Sequence, residues 1–260
     1  MNSFICETNS GEFMIRHYTP DGVEDRICGH ATLAAVELLV YLGKIEQRAE
    51  IKIKLNPIFN INSKHAFDVS ISNKNITIRL PIVKDLHPVL DDDFYRKVSS
   101  FLSVSMSKVV KPAYFSPLIK NFIVGLEDEV TLLDVQPDFV KIKEFRLYSN
   151  EGFMLTAPST TKTFDIVSRV FQPFLGVNED AACGSANCLM IPYWINKREG
   201  CYPEDKSTFR VLFPVNPYGH QEGFGGLQSV KILPGRKEIE VTGQAQYMKP
   251  IFFNSRLNPF

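Results

Sequence analysis

One short pattern occurs twice in this chain, and it limits what the chain can fold into more than any other feature. Residues Asp25, Arg26, Ile27, Cys28, Gly29, His30 and Ala31 read D-x-x-C-G-H-A; Asp180, Ala181, Ala182, Cys183, Gly184, Ser185 and Ala186 read D-x-x-C-G-S-A. Each copy opens an apolar run of helical length. Two similar halves with matching helix N-termini are therefore expected. Such termini carry N–H groups without helical partners and the positive end of a helix dipole. They favour an anion and lower the pKa of a thiol placed there.

The rest of the chain predicts sheets around those helices. Phe13 to Tyr18 alternates as a strand and closes on the turn cluster Thr19-Pro20-Asp21-Gly22. Between Ala31 and Leu42 the single charge is Glu37, which predicts a helix without a solvent face, ended by Gly43. Ile51-Ile53-Leu55, Phe67-Val69-Ile71 and Ile76-Ile78-Leu80 alternate with polar residues, the mark of strands with one buried face. Asp91-Asp92-Asp93 reads as the acidic first turn of a helix through Phe101 rather than a metal site. Asn121 to Leu126, Phe145-Arg146-Leu147-Tyr148 and Gly152 to Thr156 read as strands, and Pro137-Asp138 as the start of a short helix. The second repeat runs on through Ile191-Pro192-Tyr193-Trp194, where Pro192 is expected to kink or end its helix. Phe209 to Phe213, Gln228 to Leu233 and Ile239 to Thr242 complete an α+β chain, divided into residues 1–110 and 111–260.

Bulk properties exclude several functions. The formal net charge is zero, so the counter-ion release that drives nucleic-acid binding is missing and no nucleic-acid partner is expected. The longest apolar run, Leu33 to Leu42, is far shorter than the roughly 20 residues a bilayer needs, so no membrane partner is expected. Met1-Asn2-Ser3-Phe4 does not read as a secretory signal. Five cysteines without C-x-x-C spacing argue against a disulfide framework or a zinc site and fit a cytoplasmic setting. Gly219 to Gly226 is glycine-rich but has neither nucleotide-binding spacing. His17, His65, His87 and His220 share no ligand spacing and read as surface or structural, so no metal is expected.

The repeated motif suits proton transfer. A carbon acid beside a carboxylate loses its proton only with a base at one end and dipoles that hold the developing charge at the other. Gly29 and Gly184 would open the helix tips that supply those dipoles. His30, Asp180, Cys28 and Cys183 are the candidate proton carriers. His30 titrates near neutrality, and either thiol would need its pKa lowered. Buried packing is the alternative role for both cysteines.

Ile27 to Ala34, Ser168 to Pro173 and Gly176 to Ala186 together resemble the phenazine biosynthesis PhzF-like family over nearly the whole chain. The resemblance implies a diaminopimelate epimerase-like fold: two pseudo-symmetric halves, each a mostly antiparallel sheet or barrel about a central helix, with the site in the cleft between them. The last residues would return to the first half. It implies an isomerase without a cofactor, acting on a small carboxylate-bearing metabolite, and a homodimer. His30, Asp180 and Ser185 fall on the family's active-site histidine, aspartate and serine. Gly29, Gly184 and Ala186 are expected to contact substrate, and Gly225-Gly226 either to approach its carboxylate or to form a plain loop.

Two departures qualify this. Ala181 and Cys183 stand where the family has proline and threonine, and Cys28 and Cys183 resemble the paired cysteines of amino-acid racemases and epimerases. The family's catalytic glutamate would fall at Met1. Roughly forty residues of the first half are then expected outside this sequence, with apolar surface left uncovered. Impaired turnover, or a role as an inactive binding module, is the consequence to test.

Overall fold

The computed structural model describes residues 2–9, 12–19, 21–25, 28–54, 66–148, 150–196, 201–203, 205–214, 225–235 and 237–246. The expected features at Pro20, Arg26, Ile27, Leu55, His65 and Gly219 to Phe224 lie outside them. The first lobe contains β1 (Asn2–Glu7), β2 (Phe13–Tyr18), β3 (Glu24–Asp25), α1 (Gly29–Tyr41), β4 (Ala49–Lys54), β5 (Ala66–Ser72) and β6 (Asn75–Pro81). Next come β7 (His87–Val89), α2 (Asp92–Leu102), β8 (Val109–Ser116), β9 (Asn121–Leu126), α3 (Glu129–Leu133), α4 (Phe139–Glu144), β10 (Gly152–Pro158), β11 (Ile166–Gln172) and β12 (Val177–Asp180). A 3-10 turn, Gly184–Ala186, runs into α5 (Asn187–Asn196), followed by β13 (Thr208–Phe213), β14 (Gly226–Ile232) and β15 (Glu238–Gly243).

The strands form one continuous path, β1-β2-β4-β5-β6-β15-β14-β13-β11-β10-β9-β8-β7, with β3 added on β2 and β12 on β11. The lobes join where β6 pairs antiparallel with β15, Ile78 opposite Val241 and Leu80 opposite Ile239. β15, the last strand among the described residues, thus returns to the first lobe. Residues 87–102 pack on strands that follow residue 110. The Tyr95 hydroxyl donates to the Val89 carbonyl at 2.6 Å and accepts from the Ala113 N–H at 2.8 Å.

Burial explains the two kinds of strand pattern. In β6 buried residues alternate, and Ile76, Ile78 and Leu80 face α1 and the first core. In β9 every residue is buried. Its Ile123 faces the core around α5, while Phe122, Val124 and Leu126 face α2, α3 and α4. A strand covered on both faces gains nothing from alternation, so it reads as a continuous apolar run. Among the described residues no helix is long and apolar enough to cross a membrane.

Several expectations hold locally. Gly43 takes the left-handed conformation that closes α1, with Lys44 N–H on Leu39 and Gly43 N–H on Val40 carbonyls. Asp91 caps α2 through the Asp93 N–H, with Asp92 and Asp93 in the first turn. Asp138 caps α4 through Lys141 N–H.

Three expectations need correction. Phe145 to Tyr148 is not a strand: it follows α4, Tyr148 adopts a left-handed φ of 56°, and Phe145 and Leu147 pack on the second core from a loop. Their alternation reflects two anchors rather than a pleat. Helix α1 has a solvent face, since Ala34 and Tyr41 are exposed while Leu33, Val36 and Leu39 are buried. Helix α5 does not end at Pro192 but continues to Asn196. The proline leaves the Cys188 carbonyl without its helical donor, and the Val83 N–H fills that place at 2.9 Å.

Candidate active site

The first helix tip is shaped by the residues around Cys28. Cys28 is extended, with φ −124° and ψ 103°, and its side chain does not cap α1. Its carbonyl accepts from both the N–H and the hydroxyl of Thr32, at 3.1 and 2.7 Å. Because the Thr32 hydrogen is committed to Cys28, the Thr32 oxygen accepts from His17 Nε2 at 3.1 Å. His17 Nδ1 then accepts from Ser3 Oγ at 2.8 Å. Burial, reinforced by His30, lowers the pKa of His17 to about 4 and keeps the ring neutral. His17 is therefore structural, the second of the two roles the sequence leaves open, and not a surface residue.

The second tip has a different clamp. Cys183 is again the uncapping N-cap residue. Asn187 Nδ2 donates to the Gly184 carbonyl at 3.0 Å and to Gln228 Oε1 at 2.6 Å, and Gln228 Nε2 donates to the Ala182 carbonyl at 3.2 Å. Asp180 ends β12, and its Oδ1 accepts from the Ala182 N–H at 3.0 Å. The preceding residue, Glu179, is gripped by the buried Arg169 guanidinium at 2.7 and 3.0 Å, and Arg169 also donates to the Val135 carbonyl. This buried fork ties β12 to the sheet and fixes the strand that carries Asp180.

The two tips touch. A Cβ on Gly29 would stand 2.9 Å from Gly184 Cα, and one on Gly184 would stand 3.1 Å from Gly29 Cα. Only glycine on both sides allows this approach. Across the contact His30 Nδ1 lies 3.5 Å from Asp180 Oδ1. Cys28 Sγ is 3.6 Å from His30 Nε2, and Cys183 Sγ is 3.4 Å from Ser185 Oγ. A cavity of about 340 Å³ opens here, and Cys28, Gly29, His30, Asp180, Cys183 and Ser185 all line it.

The lining also includes Glu24, Asn121, Glu151 and Gln172. Sequence reading missed these. Asn121 and Glu151 reach the cavity because β9 and β10 run parallel with Asn121 opposite Gly152, a long-range register that no local pattern encodes. Glu24 lies close to the first motif but is held by Arg16 at 2.6 and 2.8 Å. Gly184 and Ala186 are buried and, like the exposed Gly225 and the half-buried Gly226, are not part of the lining. A Cβ on Gly226 would collide with Ala182, so this glycine serves packing of the second motif.

Both motif cysteines are buried, each 3% exposed. Burial, with the Asp180 carboxylate next, pushes the Cys183 thiol well above its ordinary range. Among the described residues no group of three or more His, Cys, Asp or Glu side chains is placed to hold a metal.

Two lobes, whose helices α1 and α5 meet at uncapped tips beside a small cavity, define an α+β protein with an epimerase-like fold. Solved structures agree. The chain is 23% identical to a phenazine biosynthesis protein of the PhzF family from Enterococcus faecalis, covering 94% of this chain and 78% of that one at a TM-score of 0.69. It also matches a hydroxyproline epimerase of Agrobacterium vitis, solved with bound trans-4-hydroxy-L-proline, at 11% identity and a TM-score of 0.54, covering 94% and 71%. The chain belongs to the PhzC-PhzF family of phenazine biosynthesis-like proteins, whose family model matches residues 2–248. A curated relative is the uncharacterized isomerase of Halalkalibacterium halodurans, 27% identical over 190 residues, or 72% of this chain. That match spans 64% of the relative's length, under two thirds.

Proposed function

We propose that the cavity binds a small carboxylate-bearing metabolite and moves a proton from one of its carbons to another, an isomerisation that needs no cofactor. The observation that carries this reading is the Gly29–Gly184 contact, which brings two uncapped helix tips together beside the His30–Asp180 pair. N–H groups at the tips would hold the carboxylate and the negative charge that spreads onto it as the carbon proton leaves. Asp180 or His30 would take that proton, and the resulting acid would return it to a second carbon. Positioned acid/base groups of this kind contribute about 10²–10⁴-fold. Ser185 would hydrogen-bond the substrate.

The relative named an isomerase supports this reading. The rival reading, a racemase with Cys28 and Cys183 as opposed bases, draws support from the fold likeness to a hydroxyproline epimerase. The raised pKa of the Cys183 thiol weighs against it. A homodimer and a cytoplasmic setting belong to the same proposal. Incubation in D₂O with a panel of small unsaturated and α-amino acids tests it. Carbon-bound deuterium in one of them is the expected result, and binding without exchange across the panel would favour an inactive binding module.

A further inference from the structure

We propose that Thr32 and Asn187 are equivalent positioning residues, one per lobe, that aim the N–H groups of the two helix tips at the ligand carboxylate. The proposal rests on the function proposed above and adds the residues that set its geometry. In the repeat, Thr32 and Asn187 hold the same place, counted from Cys28 and Cys183. Both are fully buried. Each donates its side-chain hydrogen to a carbonyl of its own tip: Thr32 to Cys28 at 2.7 Å, Asn187 to Gly184 at 3.0 Å. Each is backed by a second buried polar residue from the sheet, His17 for Thr32 and Gln228 for Asn187.

The physical link is the planarity of the peptide unit. A trans peptide places its C=O and the following N–H on opposite sides, so a locked carbonyl fixes the direction of the next N–H. Locking the Cys28 carbonyl fixes the Gly29 N–H, and locking the Gly184 carbonyl fixes the Ser185 N–H. Gly29 and Ser185 are tip residues that line the cavity. Gln228 does the same for the Cys183 N–H through the Ala182 carbonyl. The Asn187 amide is oriented unambiguously, because its Nδ2 faces two oxygens and a flipped Oδ1 would oppose both. The different chemistries at the equivalent positions, hydroxyl and carboxamide, thus do one job.

The test uses benzoate, a planar carboxylate, titrated into ¹⁵N-labelled protein while the Gly29 and Ser185 amide signals are followed. Both amides should shift in the wild type. Thr32→Val should weaken benzoate binding about three- to tenfold, the effect of one hydrogen bond, and diminish the Gly29 shift while sparing Ser185. Thr32→Ser should restore it. Asn187→Leu should diminish the Ser185 shift and spare Gly29. His17→Asn and Gln228→Met, which leave Thr32 and Asn187 in place, should act on the same amides more weakly. Variants that titrate like the wild type, or that dull both amides equally, would overturn the positioning role while leaving the proposed function standing. A wild-type protein in which neither amide responds would overturn the proposed function, and the positioning role with it.

Discussion

His30 and Asp180 face each other from opposite lobes, Nδ1 to Oδ1 at 3.5 Å, one at the tip of α1 and the other at the end of β12. The pair exists only while the lobes are docked. Asp180→Asn and His30→Asn should each lower carbon-proton exchange by about 10²–10⁴-fold. The double variant should be little worse than either, because the two act as a unit. Exchange rates in D₂O, followed by proton NMR on the accepted acid, check both statements.

The closeness of Gly29 and Gly184 makes a second prediction. Gly29→Ala places a methyl 2.9 Å from Gly184 Cα, with backbone rather than a flexible side chain in the way. The lobes must separate or the helix must shift, at a cost of about 1–3 kcal/mol. Thermal unfolding should fall by several degrees, and ligand binding should weaken more than stability does.

Stability should depend on pH through His17. Its pKa in the folded chain, about 4, lies below the ordinary 6.5, so the fold favours the neutral ring. Below pH 6.5 the unfolded chain takes up a proton that the folded chain refuses. The stabilisation is therefore complete above pH 6.5 and is lost as pH falls toward 4, a change of up to about 3 kcal/mol. Urea midpoints measured between pH 7 and 4.5 should drop more steeply for the wild type than for His17→Gln.

The cysteines separate the two enzyme readings. With its thiol raised by burial and by Asp180, Cys183 is a poor base at neutral pH. Cys183→Ser and Cys28→Ser should each keep exchange within about tenfold of wild type. Loss of all activity in either variant would restore the two-thiol mechanism.

Much of this architecture was legible in the sequence because it is local. The doubled D-x-x-C-G motif marked both helix starts, Gly43 marked an end, and alternation in β2 and β6 marked half-buried strands. What was hidden depends on long-range pairing. Strands β8 and β11 are covered on both faces or interrupted, so no period of two announces them. The presence of Asn121 and Glu151 in the cavity lining follows from the register of β9 on β10. The close approach of Ala182 to Gly226 is another long-range contact without a local signal. The apparent strand at Phe145 shows the converse, since Phe145 lies 5.9 Å from the Phe94 ring and 5.7 Å from Phe153 without any ladder.

The most direct test of the account is a crystal structure with an accepted carboxylic acid bound. The carboxylate should lie against the Gly29 and Ser185 N–H groups where the two helix tips meet, with the exchanging carbon between His30 and Asp180. A carboxylate bound outside the cavity, or one that reaches a single tip while His30 and Asp180 stay out of contact with the ligand, would contradict it.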